Sequence, residues 1–210
     1  MTTTTGANLL QAILDNPEDD AVRLIYADWL EENGQDERAE FIRVQIELAS
    51  IASQQEEFSK ADISHFDGER AAVCERQAKL WKREIRLYNR GEKGGFINWY
   101  VWSNLPNAIA CKHDSFVMRR GFVDEVCCPA ADWIRHGHQI LAAHPVTTVR
   151  LMTWPEVVEQ CDRTTSYYWL ASLKGTSRTT VASLPETNRV ITRRLLREEW
   201  PRVRNWELPQ

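Results

Sequence analysis

The side chains of this chain best suited to chemistry are five cysteines, at 74, 111, 127, 128 and 161, and five histidines. Thiolate and imidazole both ligate zinc, so Cys111 with His113, and Cys127 and Cys128 with His136 and His138, are candidate metal ligands. Their spacing fits no closed four-ligand site. With Gly137 between them, His136 and His138 project from different sides of a helix and do not make a ligand pair. Cys127 with His144 has the composition of a nucleophile and its base, yet nothing nearby marks an activated thiol. Buried free cysteines and surface histidines are the plainer reading. The chain has no phosphate-cradling glycine loop, no dinucleotide-binding glycine pattern and no Gly-x-Ser-x-Gly elbow. The sequence therefore predicts no catalytic residue, no metal and no cofactor.

Two further sets of side chains bear on binding. Lys79, Lys82, Arg83, Arg86 and Arg90, with Lys93, form a cationic run that would suit a phosphate backbone or an acidic protein surface. Glu75, Glu84 and Glu92 are interspersed with it, which favours an ordinary solvated helix face. A net charge of −4 also argues against a general nucleic-acid binder. The second set is tryptophan. Nine of them in 210 residues is a large apolar load, which requires either an aromatic-rich core or an aromatic surface that meets a partner.

The elements that must position these residues are organised around Asp19–Leu48. Val22, Ile25, Tyr26, Trp29 and Leu30 recur at helical spacing and define one apolar face. Asp19 and Asp20 suit an N-terminal cap, and Gly34 suits a left-handed C-terminal stop, so the helix is expected over about 20–33. A second run follows at once, with Ala39, Ile42, Ile46 and Ala49 on one face and Phe41, Val44 and Leu48 beside it. The short Gly34–Asp36 link predicts an antiparallel helical hairpin. Asp28 and Glu40 lie near Arg23 and Arg43 in this scheme, and carboxylate–guanidinium pairs among them would lock the two helices together. Tyr26 and Trp29 read as core aromatics rather than a ligand-stacking platform.

The string Arg23-Leu24-x-Tyr26-Ala27-Asp28-Trp29-Leu30-Glu31-Glu32-x-Gly34, followed by Arg38-Ala39-Glu40-Phe41-Ile42-Arg43-x-Gln45, resembles the repeat-companion domain. That short helical module is known mainly from large paralogous sets in planctomycetes and myxobacteria, with similar sequences in phage genomes. The resemblance spans about residues 7–49. It implies a helical hairpin whose Arg23, Tyr26, Asp28, Trp29, Glu40 and Arg43 are structural, and it implies no catalytic residue. Longer relatives carry leucine-rich-repeat-like β/α units after the module.

Along the rest of the chain, Thr2–Thr5 read as a disordered or capping tail. Leu9, Leu10, Ile13 and Leu14 make a first helix ending near Asn16-Pro17. The polar stretch 53–68 extends the second hairpin helix and then becomes a loop. A long helix is expected from about Glu69 to Asn89, with Val73, Leu80, Trp81, Ile85 and Tyr88 facing inward and Gly91 closing it. Residues 96–102, FINWYVW, favour a strand. Phe116–Met118 and Phe122–Cys127 bracket Arg119-Arg120-Gly121, which predicts strands or a sharp bend in which glycine supplies an unusual backbone angle. A helix bearing Trp133, Ile134, Ile140 and Leu141 and a strand over VTTVRLM complete a β/α unit, and the stretch 116–152 resembles one leucine-rich-repeat-like unit. Residues 153–186 read as irregular and polar, with no second copy of the repeat. Thr187–Trp200 read as a helix, and the RVRNWELPQ tail is expected to add an edge strand or dock into a partner.

The expected fold is α+β, a helical hairpin module and long helix over 1–94 packed with a small α/β region over 95–210. The N-terminus lacks the basic and apolar segments of a signal peptide. No stretch reaches the roughly 20 apolar residues that span a bilayer. An odd number of cysteines without framework spacing suits a reducing, cytoplasmic setting. The functional expectation is a non-catalytic protein–protein interaction module, phage- or mobile-element-encoded, with another protein as partner. Nucleic-acid association through the basic runs is the alternative, and a metal- or thiol-dependent enzyme ranks below both.

Overall fold

A computed structural model describes residues 2–60, 67–89, 102–106, 109, 115–153, 157–161, 166–170 and 185–209. The fold is α+β. Four helices come first, α1 (Thr2–Asp15), α2 (Asp20–Glu32), α3 (Asp36–Lys60) and α4 (Asp67–Asn89). Strands β1 (Phe116–Arg119) and β2 (Phe122–Cys128) follow, then α5 (Ala130–Ala143) and β3 (Thr148–Leu151). Strands β4 (Val157–Cys161) and β5 (Ser166–Leu170), helix α6 (Pro185–Glu199) and strand β6 (Asn205–Glu207) complete the elements among the described residues.

Two compact units account for these elements. The first holds Met1–Asn104 together with Met118–Val123, and the second holds Leu105–Val117 and Asp124–Gln210. The expected domain boundary at 94/95 lies outside the described residues.

In the first unit the hairpin forms as its capping chemistry dictates. Asp19 stands in extended backbone before α2, and its carboxylate accepts from the Ala21 N–H at 2.9 Å. At the other end Gly34 takes φ +74°, and the Gln35 N–H returns to the Leu30 carbonyl at 2.9 Å. Ile13, Tyr26, Ala27, Leu30, Ala39, Ile42 and Phe122 form the core between the helices, with Trp29 packed against it. Tyr26 stacks on Trp29 at 5.7 Å and 16°.

Several expectations require correction here. Thr2–Thr5 belong to α1 rather than to a loose tail, since extending a formed helix by a turn costs little next to nucleating one. Ile25 is 54% exposed. The buried face of α2 is centred on Arg23, Tyr26, Ala27 and Leu30, so it is rotated away from the all-apolar arc and leaves Ile25 on the side of the helix opposite Arg23. On α4, Trp81 and Ile85 point outward, at 52% and 58% exposure, while Leu87 is the residue that buries. Trp102, the last residue of the expected strand, is helical and buried, packing on Phe41 at 4.9 Å. That tertiary contact outweighs its strand propensity. Residues 96–101 and Gly91 lie outside the described residues.

The second unit carries most of a four-stranded sheet in the order β1-β2-β3-β6. The two-residue connection Arg120-Gly121 can only reverse the chain, so β1 runs antiparallel to β2. β2 and β3 are parallel, with Val126 opposite Val149 and Cys128 opposite Leu151, and α5 is the crossover that parallel pairing requires. This is the expected β/α unit. The C-terminal segment does add an edge strand, since β6 pairs parallel to β3 with Trp206 opposite Val149. Residues 153–186 are not wholly irregular: β4 and β5 pair antiparallel, Val157 opposite Leu170 and Cys161 opposite Ser166. Their valine, tyrosine and tryptophan content has high strand propensity.

Candidate functional site

Three polar residues of the Asp19–Leu48 stretch, Asp20, Arg23 and Gln45, converge on one feature, the Met118–Val123 turn. Arg120 and Gly121 both adopt positive φ, +51° and +85°, the combination of a tight hairpin turn whose twist matches its strands. For arginine that conformation is unfavourable, so the surroundings must hold it. Arg23 does part of this. Only 3% exposed, it donates through Nη1 to the Arg120 carbonyl at 3.0 Å and through Nη2 to the Pro17 carbonyl at 2.7 Å. Its guanidinium also lies 5.1 Å from the centre of the Phe122 ring. A cation in that position is attracted to the ring face and shielded from water. The Arg120 side chain ion-pairs back to Glu18 at 2.7 Å and Asp20 at 3.1 Å.

Gln45 holds the other side of the turn. Its Oε1 accepts the Gly121 N–H at 2.6 Å, and its Nε2 donates to the Met118 carbonyl at 3.2 Å and to Glu84 Oε1 at 2.8 Å. A buried amide with both ends engaged in this way is a specific device, since a half-satisfied one would be costly. Gly121 is required sterically as well: a Cβ there would fall 2.2 Å from Ile42 Cγ1.

Arg43 reaches Asp28 at 2.7 Å and Glu31 at 2.6 Å, tying α3 to α2. Those hydrogen bonds push its pKa further up, so it carries charge at any working pH. Glu40 turns away from the hairpin: Arg83 of α4 grips it with Nε and, at 2.6 Å, with Nη2. Arg23 serves backbone carbonyls where a carboxylate was expected, because its position faces the turn. Tyr26 and Trp29 are packed in and beside the core.

In the basic run of α4, Lys79 and Arg83 are paired with carboxylates. Lys79 pairs with Glu75 at 2.7 Å within the helix, and Arg76 pairs with Glu47 of α3 at 2.6 Å. Lys82 and Arg86 are exposed. Arg90 lies outside the described residues.

In the second unit the candidate ligands do not assemble. Among the described residues no group of three His, Cys, Asp or Glu side chains stands close enough to hold a metal ion. Cys128 is buried, and burial pushes its thiol up to about 12, the opposite of nucleophile activation. His144 is buried and caps α5 through its backbone N–H, while His138 is exposed and contacts Glu199 at 2.9 Å. His136 is half-buried. Cys111 and His113 lie outside the described residues. Three of the nine tryptophans cluster here instead: Trp133 lies 5.9 Å from both Trp200 and Trp206, which are 6.0 Å from each other. None of the three indole N–H groups has a partner among the described residues.

Sequence reasoning missed Gln45 and Arg120. The signal for Gln45 was present, because it falls among Phe41, Ile42, Val44 and Ile46, and a polar residue inside an apolar cluster must have a partner. Nothing local marks Arg120 as left-handed beyond the glycine that follows it. Compared with known proteins, the chain matches no family model, no curated sequence and no solved structure.

Proposed function

We propose that this protein is a non-catalytic interaction module of the repeat-companion type, which presents rigid helix faces to another protein. One observation carries the reading: Arg23 and Gln45 of the motif are buried in holding the fold, while large apolar side chains stand outside. Arg23, Arg43 and Gln45 are engaged in holding α2, α3 and the turn. Leu24 and Ile25 on α2, and Trp81 and Ile85 on α4, are exposed at 39%, 54%, 52% and 58%. Exposed aromatic and aliphatic side chains on a stiff scaffold are what a protein interface uses. The described helices include none long and apolar enough to cross a membrane. Cys74, Cys127 and Cys128 are free thiols, which suits action in a reducing compartment such as the cytoplasm.

The test is capture of partners by the tagged full-length chain from lysate of its source cells, with and without nuclease, run beside Ile25→Glu and Trp81→Glu. The reading expects a discrete protein that survives nuclease and high salt and is lost with one of the two variants. Loss of every partner on nuclease treatment, with retention by both variants, would replace it with nucleic-acid binding through Lys82, Arg86 and their neighbours.

A further inference from the structure

Helix α4 carries two apolar stripes. One, through Val73, Leu80 and Leu87, faces α3, the helix that also supplies the partners of Arg76, Gln77, Arg83 and Glu84. The other is displaced by one residue and runs through Ala71, Cys74, Ala78, Trp81, Ile85 and Tyr88. Its spacing alternates strictly between three and four residues, which is the a/d pattern of a coiled-coil seam. Ala71 to Ile85 are all exposed along this line, and Tyr88 is half-buried against Phe41 at 5.9 Å. A seam of eighteen residues is about 27 Å long.

We propose that this stripe is a homodimer interface, in which α4 pairs antiparallel with α4 of a second copy. The choice of occupant follows from size and charge. In antiparallel register Ala71 meets Tyr88, Cys74 meets Ile85 and Ala78 meets Trp81, so every layer sets a small side chain against a large one. Parallel pairing would stack Trp81 on Trp81 and leave Ala71 and Ala78 facing each other across voids. An isologous two-fold contact repeats each favourable pair twice. The same register brings Glu75 of one copy beside Lys82 of the other, opposite charges on the flank where coiled coils choose partner and orientation. Glu75 and Lys82 are both exposed and stand on the stripe's own edge. Within the monomer Glu75 already meets Lys79, which lies one turn on and stays available to the same carboxylate.

This inference deepens the interaction-module reading by naming one partner, a second copy of the chain. Its test is sedimentation equilibrium of the purified full-length protein up to about 100 μM, where even a weak dimer is populated. The expected result is a reversible monomer–dimer equilibrium. Trp81→Glu and Ile85→Glu, each checked by circular dichroism for unchanged helix content, should raise the dimer Kd at least about tenfold. Glu75→Lys or Lys82→Glu alone should weaken the dimer, and the two together should restore it. Ile85→Cys should form an oxidised dimer through Cys74 of the other copy, and the unsubstituted chain should not cross-link through Cys74 alone. A monomer throughout the range, a dimer indifferent to Trp81→Glu and Ile85→Glu, or ready Cys74–Cys74 cross-linking would each overturn the antiparallel seam. A monomer that still captures a distinct protein overturns this inference and leaves the broader reading standing.

Discussion

Buried polar and ionisable side chains decide how this protein is held, and two illustrate opposite outcomes. Arg23 is a buried charge that survives because two carbonyl oxygens and an aromatic face replace its water. Cys128 is a buried group that avoids charge altogether. Burial holds its thiol neutral up to about 12 in the folded protein, whereas an unfolded thiol ionises from about pH 9. The folded pKa is raised, so the stabilisation is fully present below pH 9 and drains away as pH climbs toward 12. Urea titrations across that window should show the parent chain losing about 1.4 kcal/mol per pH unit more than Cys128→Ala loses. Equal slopes in the two proteins would mean that the thiol ionises freely in the fold. The ion pairs of Arg43 and Arg83 belong to a weaker class, because water reaches them and screens them.

At the level of elements, the turn between β1 and β2 is held by α2 and α3 more than by its own sequence. Replacing Gln45 by Ala would strand the Gly121 N–H and the Met118 carbonyl, at a cost of about 2 kcal/mol. Gly121→Ala would force a side chain into Ile42 and into positive φ, with a loss of roughly 3 kcal/mol or more. Thermal denaturation of both variants checks this, and a Gly121→Ala protein as stable as its parent would show that the turn is not seated as described. The same elements show what was legible beforehand. Helix α2 could be read nearly to the residue, because its Asp19 cap, its Gly34 stop and its apolar spacing are all local signals. The β/α unit was legible for the same reason, as strand-favouring runs on either side of a helical pattern that stops before Pro145. Trp81 and Ile85 were misassigned because two stripes one residue apart on α4 fit the helical period equally well. Only the position of α3 decides which of them buries. The turn clamp was invisible because its partners are remote in sequence, and no local pattern ties Gln45 to Gly121. Trp102 fails similarly: its strand propensity is real, and a contact with Phe41 overrides it.

Across the whole molecule, the chemistry-capable residues and the structure-determining ones turn out to be different sets. Among the described residues, the cysteines and histidines that invite a metal or nucleophile reading form no metal-holding group in the second unit. Trp133, Trp200 and Trp206 form a cluster there, over which Gly137 fits because a Cβ at that position would press within 2.9 Å of the Trp133 ring. In the first unit the side chains that look like an ion-pair lock are split among α2, α4 and a turn more than seventy residues away. The turn's assignment to the helical unit is the largest departure from a linear reading, since Met118–Val123 belong with Met1–Asn104 rather than with their own neighbours.

That arrangement has a consequence in time. The hairpin of α2 and α3 closes through contacts a few tens of residues apart, but the hydrogen bonds to the turn join residues separated by 73, 76 and 97 positions. Closing so long a loop is entropically expensive, so the clamp belongs to the late side of the folding barrier. Stopped-flow measurements should therefore find Gln45→Ala refolding at nearly the parent rate and unfolding roughly thirtyfold faster, the full effect of about 2 kcal/mol appearing on the unfolding limb. A variant that instead refolds slowly would place the turn in the nucleus. On the expected outcome, the clamp is a latch: it does little to find the fold and sets how long the fold lasts.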